Sequence, residues 1–314
     1  MAAYLAAMAI SAGIYALLAL GVNLPWGLAG MVNLGLAGFF AVGGYTTALL
    51  TKSGISIPLG IIAAGCAAAA TGAIVALITA RLRADYLAIV TLGFSESVRI
   101  AAANEIWLTN GSAGIAGIPG PWRGALTPQQ FNLVFLGIVV GVLIVTFVLL
   151  QRLGASPFGR VLRAIRDDEE VAAVAGKHVL AFKVKAFALG AAVLGVAGAL
   201  YAHETSYIAP DIFAPLLTLN IVLALIAGGI GNNAGALIGA VLIVVLLEGT
   251  RFAAPYLPFL APAQVAAVRE LLVSVLLLAV LRFFPSGIVP ERVGSTINTA
   301  PTSTIRANTS GHFG

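Results

Sequence analysis

Long runs of apolar residues recur along this sequence of 314 residues. A helix needs roughly 20 predominantly apolar residues to cross the hydrocarbon core of a bilayer. One further run, 86–103, is interrupted by Glu96 and Arg99. The pattern predicts an all-α integral membrane protein, a polytopic bundle of about eight or nine transmembrane helices. The uninterrupted runs lie at 2–24, 30–50, 57–80, 133–150, 184–203, 215–231, 234–250 and 264–284.

Charge is too scarce in this chain to cover a water-facing surface. Charged residues make up 9% of the sequence, whereas a soluble domain normally carries about 25%. The single cysteine, Cys66, excludes an internal disulfide, and the histidines at 178, 203 and 312 are too scattered to indicate a metal cluster. The sequence therefore predicts that this chain binds no metal and no other cofactor.

The uneven distribution of basic residues predicts the orientation of the bundle. Many of them lie between Arg152 and Lys185, and an excess of Lys and Arg is typical of cytoplasmic loops. Membrane orientation explains the net charge of +5 better than a nucleic-acid partner does. With this segment inside, residues 104–132, rich in Asn, Gly, Pro and Trp, form an external loop. The same placement puts the basic residues at other run ends inside: Arg81, Arg83 and Arg282.

The two ends of the chain differ in character. The first run, 2–24, predicts a retained span, because it lacks the basic start of a signal peptide and is too long for a signal core. Pro25 and the glycines at 27, 30 and 35 predict a broken or re-entrant element after it, which leaves the side of the N-terminus open. From Pro290 onward the chain is polar. We expect a membrane domain over 1–289 and a disordered tail over 290–314.

A polar insert at about 152–183 separates two apolar runs and is too charged to cross a membrane. Its charges recur at helical spacings, so that Arg163 with Asp167, and Arg166 with Glu170, stand four residues apart and could pair. The insert predicts one amphipathic helix on the cytoplasmic surface, stopped by Gly176. A solvated loop whose charges only fix the topology is the alternative. The apolar complement of the helix would be Val161, Leu162, Ile165, Val171 and Val174.

Two G-x-x-x-G patterns lie inside apolar runs, Gly137 with Gly141 and Gly235 with Gly239. Small residues at this spacing let helix backbones approach closely in lipid. They support a packed bundle and carry no information about a solute.

Several segments occur in the order of one known family. The insert ends in E-V-A-A-V-A-G over 170–176, similar to the E-A-A-x-x-x-G loop through which permeases of ATP-binding-cassette (ABC) importers engage their ATPases. The chain resembles the LivM-type branched-chain amino-acid permeases, a family that includes urea- and amide-type permeases. One departure is Leu36, where relatives often carry histidine or another polar residue. The other segments that carry the resemblance are 23–35, 39–46, 81–99, 109–119, 199–202, 207–211, 228–231 and 284–288.

The resemblance implies a non-catalytic subunit in a bacterial inner membrane, with several partners. These are a related LivH-type permease subunit, two cytoplasmic ATPase subunits that bind the ATP, and an external solute-binding protein. This chain has no G-x-x-x-x-G-K-[ST] phosphate loop, since Gly228–Gly231 lacks the lysine. The resemblance makes the insert a coupling helix, with these residues engaging the ATPase: Arg160, Arg163, Arg166, Asp167, Asp168, Glu169, Glu170 and Gly176.

Polar residues inside apolar runs are the candidates for a solute pathway, because unpaired polar groups in lipid are costly. Glu96 and Arg99 either face the pathway or form a structural salt bridge. Asn33 is favoured among the uncharged candidates, because nearby glycines permit an unwound backbone and broken helices form solute sites. The alternative for each is a bond to a neighbouring helix. The uncharged candidates are Asn33, Thr46, Thr47, Thr91 and Asn220, whereas Glu248 and Glu270 are expected at external ends.

The leading hypothesis is the transmembrane permease subunit of an ABC importer for branched-chain amino acids or similar small polar solutes. Urea, amide or aromatic-acid cargo is an alternative within that class. A stand-alone secondary transporter would need acidic or histidine relays in mid-membrane, and only Glu96 comes close. A membrane enzyme would need a nucleophile–base set or metal ligands, and the sequence contains no such constellation.

Overall fold

The computed structural model describes residues 2–79, 82, 84–253, 264, 267–268, 271, 274–275, 279, 282–284 and 286–291. Some of the predictions above fall elsewhere. Most of the last apolar run, 264–284, and of the predicted tail lie outside the described residues, as do Arg81, Arg83, Glu270 and His312.

Within the described residues the chain folds almost entirely into helices. Residues 24–28 continue α1 as a π-helix, and short 3₁₀ turns cover 111–113 and 210–213. Two short strands, β1 (Ile115–Ala116) and β2 (Tyr207–Ile208), pair antiparallel. The α-helices are α1 (Ala2–Asn23), α2 (Leu36–Lys52), α3 (Ile57–Thr79), α4 (Ala84–Asn104), α5 (Ile106–Thr109), α6 (Pro128–Ala155), α7 (Pro157–Asp167), α8 (Glu169–Val174), α9 (Val179–Thr205), α10 (Pro215–Gly228) and α11 (Asn233–Ala253).

Five of the described helices are long and apolar enough to cross a membrane. They confirm the prediction of an all-α membrane protein. Helix α10 and residues 233–249 of α11 are apolar but shorter, so the predicted total of eight or nine spans stays a prediction. The five are Tyr4–Leu28, Ile57–Thr79, Asp85–Asn104, Pro128–Ala155 and Val179–Thr205.

The start of α6 shows how local sequence sets a helix boundary. The hydroxyl of Thr127 accepts a hydrogen bond from the Gln130 amide, and the Gln130 side chain accepts one from the Thr127 amide. This reciprocal capping box satisfies two donors that the first turn would otherwise leave unpaired. Pro128 follows the cap, where its missing amide hydrogen costs nothing.

Helix α9 lies at the centre of the bundle and packs against both α2 and α3. Glycines make this packing possible, because a Cβ atom on Gly43 would lie 2.1 Å from the carbonyl oxygen of Gly195. A Cβ on Gly195 would in turn lie 2.4 Å from Ala68. The three backbones therefore approach as closely as glycine allows, which maximises van der Waals contact where lipid supplies no hydrophobic drive.

The two G-x-x-x-G patterns have different outcomes. Gly235 and Gly239 pack α11 against the end of α10, where a Cβ on Gly239 would lie 1.9 Å from the Ala224 carbonyl oxygen. That prediction is confirmed. A Cβ on Gly137 or Gly141 would meet nothing within 4 Å among the described residues. The prediction that this second pair allows close helix contact is therefore wrong for the described chain, because that face of α6 points away from the bundle.

One end of the bundle, here called the loop end, is formed by 105–127 together with 206–214. The strand pair joins the two segments with Ile115 opposite Ile208. The guanidinium of Arg123 donates to the hydroxyl of Ser206 and to the last carbonyls of α9, at His203 and Glu204. It thereby satisfies carbonyls that a helix C-terminus leaves free. Burial lowers the pKa of the Arg123 guanidinium from its ordinary value, against the opposing effect of Glu204.

The central part of the insert, residues 156–178, lies at the opposite end, here called the insert end. Arg166 in this segment contacts Gly27, just beyond the end of α1. At the other end of α1, the Tyr4 hydroxyl donates to the Glu248 carbonyl oxygen at 3.1 Å. The N-terminal end of α1 therefore lies at the loop end, a point that the sequence left open. With the insert in the cytoplasm, as the sequence predicts, Tyr4 and Glu248 lie at the external side.

The packing of α9 predicts opposite effects of alanine at two glycines that both lie inside apolar helices. Gly43→Ala should lower the unfolding midpoint of the detergent-solubilised chain, since overpacking costs about 1–3 kcal/mol. Gly137→Ala should leave the midpoint unchanged or raise it, because its Cβ meets open space and alanine favours helix. Thermal unfolding followed by size-exclusion chromatography measures both. Equal midpoints for the two variants would contradict close contact at Gly43.

Candidate functional site

The insert consists of two helices, so the predicted single amphipathic helix is wrong. Asp168 has an extended backbone, with φ −156° and ψ 109°, and interrupts the helix between α7 and α8. Its carboxylate accepts hydrogen bonds from the amides of Glu170 and Val171, both at 3.0 Å. Aspartate is a preferred N-cap residue because its side chain satisfies the free amides of a first turn. Asp168 therefore ends α7 and starts α8.

The predicted stop of the helical insert at Gly176 is confirmed for its second helix, α8. Gly176 has φ +77°, a left-handed conformation that glycine adopts without a steric penalty. The amide of Lys177 donates to the Ala172 carbonyl oxygen at 3.2 Å, and that of Gly176 donates to Ala173 at 3.0 Å. These bonds close the last turn of α8 in the manner of a Schellman motif.

The predicted ion pairs within the insert do not form as the spacing suggested. Arg163 donates instead to the Gly154 carbonyl oxygen at 3.0 Å. Arg166 lies 3.5 Å from Asp167 and 2.8 Å from Glu291. The break at Asp168 removes the helical register that would have put Glu170 one turn beyond Arg166. A third pair that the sequence did not anticipate joins Glu169 of α8 to Lys183 of α9.

The apolar face of the insert divides at the same break. Leu162 and Ile165 of α7 are buried against the bundle. Val171 and Val174 of α8, which the sequence assigned to the same apolar complement, are 64% and 90% exposed. Between the two helices lies an open groove of about 590 Å³. It is lined by Pro157, Arg160, Val161, Ala164, Asp167, Asp168, Val171, Ala172, Ala175 and Lys177.

A second feature of the insert end is the broken segment that separates α1 from α2. Residues 30–35 have neither helical nor strand structure, which confirms the break predicted from Pro25 and the glycines. Asn33 is fully buried within it. Its side-chain oxygen Oδ1 accepts from the Gly35 amide at 2.8 Å, whereas its side-chain nitrogen has no hydrogen-bond partner among the described residues. An unpaired buried donor of this kind is costly and calls for an explanation.

The structure brings Thr91 of α4 to this broken segment. The Thr91 hydroxyl accepts a hydrogen bond from the Leu34 amide at 3.1 Å and donates to Ala88 at 3.0 Å. Thr91 and Asn33 are both fully buried, and both hold backbone amides of the unwound chain. Two pathway candidates separated by 58 positions in sequence therefore belong to one polar cluster.

Thr46, Thr47 and Asn220 are not part of that cluster of bonds. Thr46 donates to the Val42 carbonyl oxygen of its own helix at 2.6 Å. Thr47 lies 2.9 Å from Nε2 of His203, whose Nδ1 lies 2.7 Å from the Pro119 carbonyl oxygen. Thr47 thus bonds a neighbouring helix, the alternative that the sequence left open. Asn220 is buried on α10, with 6% of its surface exposed.

Glu96 and Arg99 form the predicted ion pair on α4. Two guanidinium nitrogens of Arg99 donate to the two carboxylate oxygens of Glu96, at 2.9 and 2.5 Å. The Arg99 and Glu96 side chains are 27% and 35% exposed, so the pair lies at the surface of this chain. It stands closer to the loop end of α4 than to the insert end.

Sequence reasoning missed several polar residues that the fold brings together. Asn23 at the end of α1 is buried and donates to the Asn233 side chain at 3.0 Å. Glu291 lies in a stretch assigned to a polar tail, yet it pairs with Arg166. Asn23 does stand at the end of an apolar run, next to Pro25, which is a local signal. Nothing in the local sequence around Glu291 indicates its partner, which is 125 positions away.

Comparison with known proteins identifies the family of this bundle. The family described as the permease component of branched-chain amino acid transport systems matches residues 4–281. The chain belongs to this permease family. No solved structure matches the chain.

Three relatives illustrate the range of similarity within this permease family. A Salmonella typhimurium protein named LivM, a high-affinity branched-chain amino acid transport system permease, is 34% identical over 75% of this chain and 61% of its own length. The chain thus spans about three fifths of that relative. A probable LivM of Methanocaldococcus jannaschii is 30% identical over 89% of this chain and 91% of its own. A Salmonella typhimurium protein named LivH is 27% identical over 73% of this chain and 79% of its own length.

The cap at Asp168 predicts a local loss of order in α8 of the permease. Asp168→Ala should speed amide hydrogen exchange over 170–174, because losing an N-cap costs about 1 kcal/mol of helix stability. Asp167→Ala is the matched control, since the side chain of Asp167 is 73% exposed and caps nothing in the described structure. Amide hydrogen exchange over 170–174, measured by mass spectrometry on the two variants, tests this prediction. Equal exchange would mean that α8 does not depend on this cap.

Proposed function

We propose that this chain is the transmembrane permease subunit of an ABC importer for branched-chain amino acids or similar small polar solutes. The observation that carries the proposal is the family match over 4–281 together with an exposed two-helix insert at one end of the bundle. By this proposal the subunit makes the solute pathway and catalyses no covalent chemistry. ATP is bound and hydrolysed by two ATPase subunits in the cytoplasm.

The groove between α7 and α8 is the proposed contact with an ATPase. It combines an apolar floor with charges at its edges, and Val171 exposes its side chain there. Exposed valines on a short helix at the membrane surface are apolar area that a partner can cover. Arg160 stands on the same groove, and its only recorded bond in the described structure is to the nearby Ala155 carbonyl oxygen. Its guanidinium keeps donors for an acidic partner.

The proposed solute pathway passes the broken segment between α1 and α2. Broken helices expose backbone groups at membrane depth, and such groups recognise small polar solutes. Asn33 supplies a buried amide nitrogen that has no partner in the described part of the chain, and Thr91 holds the segment from α4. A solute carboxylate or carbonyl oxygen is a suitable acceptor for that amide. Leu36, at the start of α2, is fully buried and gives the neighbourhood an apolar wall, which suits a branched aliphatic side chain better than urea.

The proposed companion is a related permease subunit of the LivH type. Helices α4 and α6 bury only 22% and 17% of their apolar windows inside this chain. The Glu96–Arg99 pair lies on the surface of α4, where a charge exposed to lipid is costly. A second subunit covering α4 would remove that cost. The match to a protein named LivH supports a companion of the same fold. In this proposal, an external solute-binding protein completes the importer in the cytoplasmic membrane.

Docking through the groove is tested by purifying the full complex with a variant insert. Arg160→Glu combined with Val171→Asp should abolish co-purification of the ATPase subunits, because it places like charge and a polar group where the partner binds. Arg152→Glu is the control, since Arg152 is an exposed arginine nearby that does not line the groove. Retained ATPases in the groove variant would contradict docking at this surface. ATP-independent uptake by the chain alone in liposomes would favour a secondary transporter instead.

The pathway is tested by paired threonine substitutions. Thr91→Val removes the acceptor for the Leu34 amide with little change in shape, and should lower ATP-driven uptake at least about tenfold if the broken segment lines the pathway. Thr46→Val should leave uptake unchanged, because Thr46 bonds only its own helix in the described structure. Uptake of radiolabelled leucine into proteoliposomes measures both. Wild-type uptake by Thr91→Val would contradict this pathway.

A further inference from the structure

Three distant parts of the chain meet at the side chain of Arg166, and a fourth lies against its partner Glu291. The arginine belongs to α7, and one of its terminal nitrogens donates to the Gly27 carbonyl oxygen in the π-helical end of α1. The same nitrogen donates to the Glu291 carboxylate at 2.8 Å. Glu291 in turn lies against Gly231 in the turn between α10 and α11. We call Gly27, Arg166, Gly231 and Glu291 the Arg166 clasp.

The clasp depends on glycines at its contact points. A Cβ atom on Gly231 would lie 2.8 Å from the Glu291 carboxylate, and one on Gly30 would lie 3.1 Å from Cγ of Arg166. Both glycines have positive φ, at +85° and +68°, which side chains rarely adopt. The absence of side chains at Gly30 and Gly231 leaves room for Arg166 and Glu291 to form their ion pair.

Glu291 is held in place by backbone bonds on its N-terminal side. The amides of Ile288 and Val289 donate to the Ala227 and Gly228 carbonyl oxygens at the end of α10, both at 2.9 Å. The Asn232 side chain donates to the Pro290 carbonyl oxygen at 3.1 Å. The carboxylate is therefore a fixed anchor rather than a group on a loose segment.

The clasp extends across the insert end of the bundle through Asn23. The Asn23 side chain accepts from the Gly231 amide at 2.9 Å and donates to Asn233 at 3.0 Å. Asn233 donates in turn to Gln151 near the end of α6 at 3.3 Å. A chain of polar contacts thus joins α7 to the ends of α1, α6 and α10 and to the start of α11.

The position of Gly27 explains what such a contact can do. Its carbonyl lies in the π-helical segment 24–28, immediately before the unwound residues that contain Asn33. π-Helical turns that interrupt an α-helix are frequent at functional sites. Arg166 supplies a charged donor to a carbonyl at this helix end.

We propose that Arg166 is a positioning residue that transmits displacement of the insert to residues 24–35, which comprise the π-helical end of α1 and the broken segment, and that it does not contact the ATPase. The inference rests on the proposed function, because the displacement is the one that a bound ATPase would impose. The Arg166 and Glu291 side chains are 24% and 18% exposed and are already paired. Pulling such a pair apart leaves largely buried, uncompensated charge. Movement of α7 therefore drags the π-helical end of α1 with it.

This assignment separates Arg166 from the neighbouring arginine with which the sequence groups it. Arg160 is exposed at the groove and free to meet a partner protein. Arg166 faces the bundle, and its charge is paired with Glu291 of the same chain. The two arginines stand six positions apart on α7, so the helix presents one surface outward and the other inward.

The clasp itself is tested by amide hydrogen exchange on the full-length purified chain. Arg166→Gln should speed exchange of the amides over 27–35 by about tenfold, as expected when a charged hydrogen bond is lost. Glu291→Gln should speed the same amides and tests the link from its other side if Arg166→Gln folds poorly. Arg160→Gln is the matched control on the same helix and should leave them unchanged. Unaltered exchange over 27–35 in both clasp variants overturns the clasp.

Transmission is tested in the complex with its ATPases and companion subunit. Arg166→Gln should retain the ATPase subunits and continue to hydrolyse ATP, while leucine taken up per ATP hydrolysed falls at least about tenfold. Arg152→Gln should keep the wild-type ratio. An unchanged ratio in Arg166→Gln, despite faster exchange, overturns transmission. Loss of the ATPases from a folded Arg166→Gln complex also overturns it and returns Arg166 to the docking surface.

The two proposals fail in distinguishable ways. If the wild-type chain never retains ATPases, the importer function fails and transmission from an ATPase fails with it, while hydrogen exchange still decides whether the clasp exists. If the wild-type complex assembles and transports, the importer function stands, and only the Arg166 variants decide transmission.

Discussion

Close contact between helix backbones around α9 is the interaction on which the rest of the bundle depends. A helix buried in lipid gains no hydrophobic energy by leaving it, so association relies on packing and on the few polar bonds available. Glycines on α2 and α9 allow the two backbones to touch, and Ala68 brings α3 into the same contact. The position of α9 then fixes both of its ends, one under the capping Arg123 and the other beside the insert.

Polar groups concentrate at the insert end because helices there are interrupted rather than continuous. An unwound segment carries backbone amides and carbonyls that must find partners in a region without bulk water. Asn33 and Thr91 satisfy amides of that segment, and Arg166 satisfies the carbonyl of Gly27. Of these residues, Arg166 belongs to the insert itself. In the proposed mechanism, its hydrogen bond serves both stability and transport.

The sequence predicted those features that depend on local composition or spacing. Apolar runs predicted the helices, Pro25 and its glycines predicted the break, and three-residue spacing predicted the Glu96–Arg99 pair. Predictions that extended a helical register too far were wrong. Asp168 interrupts the insert because a capping carboxylate competes with continued helix, and helical spacing alone cannot show which one prevails. The hydrogen bonds of His203 could not be predicted, because its partners, Thr47 and Pro119, come from other elements.

The sequence by itself determined the class of the protein, the presence of membrane helices, the position of the insert and the family resemblance, because each depends on residues adjacent in the chain or on motifs in order. Tertiary structure alone decided which polar residues meet: Arg166 with Glu291, Asn23 with Asn233, and Thr91 with the unwound segment. It also decided which end of the bundle receives the start of α1. The physical reason is that a side-chain bond across the bundle depends on how whole helices pack. The sequence of one apolar run does not specify which other helices pack beside it.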